Sequence, residues 1–260
     1  MSDPKPKKSL GQHWLHDAAS LNAMADAADI QADDFVLEIG PGLGTLTEVL
    51  VKRAGQVMAV EFDHLLAVQL PGRVQAKNLD VVEHDILTFD FTNLPHHYKV
   101  VANIPYYLTS NLIRVLSESS NPPSAAVLLV QKEVAERVAA KPGDMSLLSV
   151  TAQYYWEVSL GMEVPAELFT PAPKVDSQIL ILNYRTELLF EDVTPKDFFR
   201  VVKAGFSQRR KTLLNSLSGG LQLDKPTIQT LCESVDIDPR RRAQTLSLEE
   251  WYHLCLSYFT

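Results

Sequence analysis

The chain is poor in the features that mark exported, disulfide-bonded or membrane proteins. It has two cysteines among 260 residues, Cys232 and Cys255, and their spacing matches neither a disulfide framework nor a metal motif. No apolar run reaches the roughly 18 residues of a membrane span, and the polar N-terminus lacks the apolar core of a signal peptide. These absences predict a cytoplasmic protein with two buried thiols.

The chain also has no overall excess of positive charge. Its formal net charge is -8, which argues against a general polyanion binder, because phosphate contacts need Lys and Arg. The first 185 residues carry this whole negative charge, and the remaining residues are balanced. Two basic clusters lie in that balanced part, Arg209-Arg210-Lys211 and Arg240-Arg241-Arg242. Each cluster is either a solvated surface or a patch that contacts phosphates.

The most informative stretch is Phe35–Gly44, an apolar run that ends in glycines at positions 40, 42 and 44. The run predicts a strand buried on both faces, and the apolar spacing beyond it predicts a helix. Glycine permits positive φ and lets a ligand lie against bare backbone, while a helix start offers unpaired N–H groups. The pattern therefore predicts a strand, a ligand-binding turn and a helix, with a purely structural turn as the alternative.

The next predicted strand, Val57–Val60, ends in Glu61, where an acid can accept hydrogen bonds from a ribose diol. Two nucleoside cofactors are then possible. A dinucleotide fold requires G-x-G-x-x-G and a pyrophosphate on the helix N-terminus, whereas the spacing here is G-x-G-x-G. Glu38, two residues before the first glycine, would repel a pyrophosphate but suits the sulfonium and amino groups of S-adenosylmethionine.

Two further strands end in polar residues. Asp85 follows the predicted strand Leu79–Val82, where it is either a contact for the base of the cofactor or a solvated loop acid. Asn103-Ile104-Pro105-Tyr106 follows the strand Val100–Ala102. An Asn side-chain oxygen and the next backbone carbonyl, held by proline, can accept hydrogen bonds from both N–H groups of an adenine amine. These two bonds favour tetrahedral nitrogen, which localises the lone pair of the amine. Tyr106 can stack on the base.

The remaining pattern predicts an α/β domain followed by helices. An ordered arm at the N-terminus contains Lys5, Lys7, Lys8 and His13. Ala125–Val130 predicts a buried strand, and 158–164 and 178–182 predict an antiparallel pair that closes the sheet. The proline-rich loop between that pair contains Phe169, which either stacks on a substrate base or packs in the core. From Thr194 onwards the pattern is helical.

Motifs spread over the whole chain make it similar to the ribosomal RNA adenine N6-dimethyltransferases, most like the KsgA type that acts on small-subunit RNA. The stretches that carry the resemblance are Gly11-Gln12-His13-Trp14-Leu15, Ile39-Gly40-Pro41-Gly42, Asn103-Ile104-Pro105-Tyr106, Leu148-Ser149-Val150 with Gln153, Phe169–Ser177 and Phe206–Lys211. The resemblance implies a Rossmann-like seven-stranded methyltransferase sheet with a small all-helical C-terminal domain. We expect the first domain to span residues 1–185, with an arm over 1–16, and the RNA-contacting helical domain to span 186–260.

The resemblance also implies an activity, namely the transfer of methyl groups from S-adenosylmethionine to N6 of two adjacent adenines near the 3′ end of 16S rRNA. The implied partner is that RNA within the 30S subunit or its precursor, as a step of ribosome biogenesis, and the implied protein is a monomer without a metal. The implied cofactor-binding residues are His13, Leu15, Gly40, Gly42, Glu61, Asp85 and Asn103. The implied catalytic residues are Asn103, Ile104, Pro105, Tyr106 and Phe169, and the implied RNA-binding residues are Arg209, Arg210 and Lys211.

The chain departs from the family pattern in its arm, where the usual Gly-Gln-Asn-Phe-Leu is replaced by a sequence with His13 and Trp14. The loop 142–147 is shorter and more acidic than usual, which removes an expected lysine. Two alternative functions remain. One is the related large-subunit methyltransferase of the macrolide-resistance type, and the other is a mainly non-catalytic ribosome-assembly or transcription factor.

Overall fold

The structure is a computed structural model that describes residues 4, 6, 7 and 10–259. The arm lysines Lys5 and Lys8 therefore lie outside the described residues. Contacts divide the chain into two compact units, one formed by Met1–Glu136 with Trp156–Tyr184 and the other by Arg137–Tyr155 with Arg185–Thr260. No helix in the described part of the chain is both long enough and apolar enough to cross a membrane.

The strands of the first unit form one large and one small sheet. Over the described residues the large sheet has seven strands in the order β4-β3-β2-β5-β6-β9-β7, and β1 pairs with β8 in a separate two-stranded sheet. The strands are β1 (Trp14–Leu15), β2 (Phe35–Ile39), β3 (Gln56–Glu61), β4 (Leu79–Glu83), β5 (Lys99–Asn103), β6 (Ala125–Gln131), β7 (Trp156–Val164), β8 (Phe169–Thr170) and β9 (Ser177–Tyr184).

Helices connect the parallel strands and make up most of the second unit. The helices are α1 (Ala18–Ala27), α2 (Thr47–Leu50), α3 (His64–Val74), α4 (Thr109–Ser117), α5 (Lys132–Val138), α6 (Leu147–Tyr155), α7 (Pro195–Phe206), α8 (Leu213–Leu221), α9 (Lys225–Glu233) and α10 (Leu248–Phe259). The predicted α/β fold, with its seven-stranded sheet and helical C-terminus, is thereby confirmed.

The five strands β4, β3, β2, β5 and β6 are parallel, and β9 and β7 join them antiparallel. Most residues of the central strands β2, β5 and β6 are buried, and every residue of β6 from Ala125 to Val130 is. Long apolar runs of this kind are typical of parallel strands that are covered on both faces. The chain leaves β2 towards β3 on one side and returns as β5 on the other side. This reversal opens a crevice at the carboxyl ends of β2 and β5, which is where ligands bind in open parallel sheets.

The second unit has its own core, in which Trp251, Phe198 and Tyr154 are almost completely buried. Tyr154 lies on α6, and its ring is 4.8 Å from that of Phe198. The segment Arg137–Tyr155, which the sequence analysis placed within the first domain, therefore groups with the C-terminal helices. Cys232 and Cys255 are free and buried in this core, as predicted, and burial raises the pKa of the Cys232 thiol to about 11.

Candidate active site

A cavity of about 220 Å³ lies at the carboxyl ends of the parallel strands. Its wall combines the glycine turn after β2, the ends of β3 and β5, the N-terminal arm and the proline-rich loop. All the residues predicted to act in catalysis or in cofactor binding line this cavity. They are His13, Leu15, Gly40, Gly42, Glu61, Asp85, Asn103, Ile104, Pro105, Tyr106 and Phe169.

The glycine turn presents bare backbone to the cavity. Gly40, Gly42 and Gly44 have φ values of +66°, +58° and +89°, which L side chains rarely adopt. A Cβ placed on Gly40 would meet no atom within 4 Å, so the space beside it is open. A Cβ on Gly44 would instead lie 2.8 Å from Leu70, so this third glycine allows the turn to pack against α3. The first glycine thus leaves room for a ligand and the third stabilises the fold.

Glu61 ends β3 and holds the glycine turn in place. One carboxylate oxygen, Oε2, accepts a hydrogen bond from the backbone N–H of Gly42 at 3.1 Å, and Oε1 accepts one from Asp63 at 2.8 Å. The residue is only 6% exposed. Burial raises the pKa of this carboxyl, although the two N–H groups oppose the rise. Each oxygen has a further lone pair, so Glu61 can still accept hydrogen bonds from a diol.

Glu38 is a second buried acid in the same wall. It is 1% exposed, and its Oε2 atom has no hydrogen-bond partner among the described residues. Burial raises the pKa of the Glu38 carboxyl to about 8, and the negative charge of Glu61 adds to the rise. The described residues that line the cavity include no Lys and no Arg. An acidic wall of this kind suits a cationic ligand and disfavours the pyrophosphate of a dinucleotide.

Asp85 and Asn103 occupy the strand ends on either side of Glu61 and the glycine turn. Asp85 accepts a hydrogen bond from the backbone N–H of Leu87 at 3.0 Å, which fixes its carboxylate at the start of a short helical turn. The amide nitrogen of Asn103 donates to the carbonyl oxygen of His13 at 3.5 Å. Because the nitrogen is held by the arm, the side-chain oxygen of Asn103 points elsewhere and can act as an acceptor.

Tyr106 is held as a flat surface beside Asn103. Its hydroxyl lies 2.8 Å from Oγ of Ser177 on β9. The ring of His13 is stacked with it, with centroids 6.1 Å apart and planes inclined by 15°. Burial raises the pKa of the Tyr106 hydroxyl, so the side chain is neutral at physiological pH. Contacts at the hydroxyl and along the ring leave the aromatic surface little freedom to rotate.

The arm reaches the site by pairing with the proline-rich loop. Trp14 pairs with Thr170 and Leu15 with Phe169 in the small antiparallel sheet. Nδ1 of His13 lies 2.6 Å from the carbonyl oxygen of Pro171. Phe169 is 4% exposed and belongs to the core between α1 and the sheet, so its ring packs as well as lining the cavity.

Sequence reasoning did not assign Trp14 or Phe62 to the site, although both line the cavity. Trp14 is 9% exposed and packs with Leu43 and Leu66, whereas Phe62 is 61% exposed. The sequence could have indicated both residues, because Trp14 directly follows His13 and Phe62 directly follows Glu61. An aromatic residue that directly follows a ligand-binding acid at a strand end lies at the same sheet edge.

The two basic clusters differ in their surroundings. Arg209, Arg210 and Lys211 are exposed in the turn between α7 and α8, and none of them forms an ion pair within the described residues. In the other cluster, Nη2 of Arg241 donates to Glu250 at 3.0 Å and to the carbonyl of Thr245 at 2.7 Å. Arg241 therefore holds the start of α10. Exposure and the lack of partners make the 209–211 cluster the better candidate for phosphate contacts.

Comparisons with known proteins agree with this geometry. The profile of the family described as "Ribosomal RNA adenine dimethylase" matches residues 4–254. The "Ribosomal RNA small subunit methyltransferase A" of Dehalococcoides mccartyi is 46% identical, over 98% of this chain and 89% of that protein. The protein of the same name from Bacillus cereus is 42% identical, over 94% of this chain and 88% of its own length.

Two solved structures are similar over almost the whole chain. A dimethyladenosine transferase from Plasmodium falciparum has a TM-score of 0.81 at 27% identity and covers 94% of this chain and 97% of its own. The 23S rRNA methyltransferase ErmE has a TM-score of 0.76 at 28% identity and covers 95% of this chain and all of its own. With a family profile that spans nearly the full chain and relatives above 40% identity, the chain belongs to the ribosomal RNA adenine dimethylase family.

Proposed function

We propose that this chain transfers methyl groups from S-adenosylmethionine to N6 of two adjacent adenines near the 3′ end of 16S rRNA, giving N6,N6-dimethyladenosine. The observation that carries the proposal is the position of Asn103-Ile104-Pro105-Tyr106, which lines the same cavity as Glu61 and the glycine turn. The residues that we assign to the methyl donor and those that we assign to the target amine therefore line one cavity. The family membership supports the same chemistry.

The cavity residues fit the proposed cofactor. Glu61 offers two acceptor oxygens for ribose hydroxyls, and Gly40 leaves room for the methionine part. Asp85, fixed at the next strand end, would accept a hydrogen bond from the adenine amine of the cofactor. His13 and Leu15 of the arm border the same space, and the buried Glu38 carboxyl lies in the same wall. S-adenosylmethionine supplies the electrophilic methyl group when bound.

The protein's own contribution to the chemistry is to activate a poor nucleophile. The lone pair of an adenine N6 amine is delocalised into the ring. Acceptance of its two hydrogens by the Asn103 side-chain oxygen and the Ile104 carbonyl favours tetrahedral nitrogen and localises the pair. Pro105 fixes the backbone at this point, and its carbonyl accepts the N–H of Leu108 at 2.9 Å. No general base is needed before attack, because the proton can leave afterwards to water.

The target base must also be held outside its stack. Tyr106 offers a rigid surface for stacking, which typically contributes about 1 to 3 kcal/mol per base. We assign Phe169 to the opposite border of the base pocket, where its buried ring limits the depth of entry. RNA phosphates would be contacted by Arg209, Arg210 and Lys211, and the RNA partner would be the 30S subunit or its precursor in the cytoplasm.

A small-subunit substrate is favoured over a large-subunit one. Proteins named for the small subunit are 42% to 46% identical to this chain, whereas the 23S rRNA methyltransferase ErmE is 28% identical. The intact Asn103-Ile104-Pro105-Tyr106 sequence in a formed cavity also argues against a purely non-catalytic assembly or transcription factor.

The proposal is tested by incubating the protein with 30S subunits that lack the modification, together with labelled S-adenosylmethionine, and then mapping the labelled nucleotide. We expect label on two adjacent adenines near the 3′ end of 16S rRNA. Subunits that already carry the methyl groups serve as the matched control and should take up no label. Label on added 23S rRNA would indicate the large-subunit type of methyltransferase. Binding to the 30S subunit without transfer of label would favour an assembly factor.

A further inference from the structure

Trp14 carries a buried hydrogen-bond donor at the cavity that the function described above does not use. The residue is 9% exposed, lines the cavity, and its indole Nε1 has no partner among the described residues. Buried polar groups in folded proteins are nearly always hydrogen-bonded. A buried N–H without an acceptor destabilises a folded protein, so this group calls for an explanation.

The indole is fixed against the glycine turn. Cδ1 and Nε1 of Trp14 lie 3.4 and 3.5 Å from the position that a Cβ on Gly42 would occupy, so the edge that bears the N–H faces the turn. The rest of the ring packs with Leu43 and Leu66, and the backbone is paired with Thr170. Contacts on both sides therefore hold the ring, and with it the N–H, in one place beside the turn.

The chemistry of the cavity wall indicates which ligand group would accept this bond. Glu61 and Asp85 supply acceptor oxygens, which suit hydroxyls, amines and cations. The carboxylate of an amino acid needs the opposite, namely donors. Indole Nε1–H is a donor only, and Gly42 N–H is already bonded to Glu61.

We propose that the indole N–H of Trp14 donates a hydrogen bond to the carboxylate at the amino-acid end of S-adenosylmethionine. This assignment rests on the proposed function, since it presumes that cofactor. It makes Trp14 a positioning residue, because a fixed carboxylate fixes the direction in which the methionine chain enters the cavity.

The test measures dissociation constants by calorimetry for the full chain and for Trp14→Phe, which keeps an aromatic ring but removes the N–H. Three ligands are compared: S-adenosylmethionine, S-adenosylhomocysteine, and decarboxylated S-adenosylmethionine, which lacks only the carboxylate. We expect Trp14→Phe to weaken the first two by about 10-fold or more, as for a hydrogen bond to a charged group. Its affinity for the decarboxylated ligand should equal that of the wild type, which also shows that the variant is folded.

Trp251→Phe is the matched control. Trp251 is fully buried and its Nε1 also lacks a partner among the described residues, but it belongs to the core of the second unit and does not line the cavity. We expect this variant to bind all three ligands like the wild type. Equal weakening of all three ligands by Trp14→Phe would overturn the carboxylate contact and leave a packing role. Unchanged affinities would overturn any role for the N–H. A wild type that binds no S-adenosylmethionine would refute the proposed function itself.

Discussion

The backbone N–H of Gly42 and the carboxylate of Glu61 are joined by a hydrogen bond of 3.1 Å across two neighbouring parallel strands. A single side chain thus orders the glycine turn and presents acceptors to the cavity. The arrangement is possible because parallel strands end at the same edge, and β2 and β3 are paired from Phe35 with Gln56 to Ile39 with Val60. The proposed pocket for the methyl donor therefore depends on one buried acid in two ways.

Replacing Glu61 with alanine should weaken S-adenosylmethionine binding by roughly 1.5 to 3 kcal/mol, because charge-assisted contacts to the ribose diol are lost. Calorimetry measures the effect. Glu61→Gln is the control, since it keeps one acceptor oxygen at the same place and should lose less. A dissociation constant for Glu61→Ala equal to that of the wild type would remove this residue from the cofactor site.

Glu38 should make the free protein less stable as the pH rises. Burial raises the pKa of its carboxyl from 4.5 to about 8 in the folded state, so the folded protein retains a proton that the unfolded chain releases. Below about pH 4.5 the carboxyl is protonated in both the folded and the unfolded state, and the folded protein keeps its full stability. Between about pH 4.5 and pH 8 the unfolded chain ionises first, so the free energy of unfolding falls progressively. Glu38→Gln, which cannot ionise, should therefore gain stability relative to wild type over this interval, by on the order of 2 to 4 kcal/mol.

Urea unfolding of both proteins at pH 5 and pH 8, without cofactor, measures this difference. An exposed acid offers the comparison, and Glu118→Gln, directly after α4, should follow the wild-type pH dependence because its ion pair with Arg114 is exposed to solvent. Parallel stability curves for Glu38→Gln and wild type would show that Glu38 is ionised in the folded protein.

Replacing Arg209, Arg210 or Lys211 with alanine should weaken binding to the 30S subunit without changing cofactor binding. Each lost phosphate contact should reduce the slope of log affinity against log salt by about one unit. Arg240→Ala is the matched control, because its guanidinium is exposed but already paired with Asp238 at 2.9 Å. Identical salt slopes for wild type and the three variants would mean that the cluster is only a solvated surface.

Much of the site could be predicted because its residues follow strands with strong apolar patterns. Glu61 and Asn103 are the last residues of the largely buried strands β3 and β5, and Asp85 comes shortly after the partly exposed edge strand β4. The ends of such parallel strands meet at one edge of the sheet. Chain order and periodicity are then enough to bring these residues together. The glycines at 40 and 42 could be predicted for a different reason, because the turn after β2 needs positive φ values that glycine adopts readily.

The contribution of the arm could not be derived from periodicity. Strands β1 and β8 have two residues each, too few for an alternating pattern, and they are far apart in the chain. The pairing of Leu15 with Phe169, and the contact of His13 with Pro171, depend on where the rest of the chain places both segments. The grouping of α6 with the second unit could not be derived either, because a helical pattern shows that an apolar face exists but not which core covers it.

The last prediction separates an enzyme from a binding factor through Asn103. Asn103→Ala removes the acceptor that localises the lone pair of the target amine, an interaction made mainly in the transition state. Loss of one such preorganised polar contact typically lowers the rate about 10²-fold or more. Subunit affinity should survive, because phosphate contacts elsewhere supply most of it. The measurement is single-turnover methylation of 30S subunits beside a binding titration of the same protein.

The control for this experiment is Asn93→Ala, the same substitution at an exposed turn, where the side-chain amide donates to the Asp90 carboxylate at 2.9 Å. It should methylate and bind like the wild type. Calorimetry measures the affinity of Asn103→Ala for S-adenosylmethionine. If the slower methylation came only from weaker cofactor binding, the wild-type rate would return at saturating cofactor. If Asn103→Ala instead methylates at the wild-type rate, the amine is activated by other groups, and the assignment of the Asn103 oxygen to the adenine hydrogens is wrong.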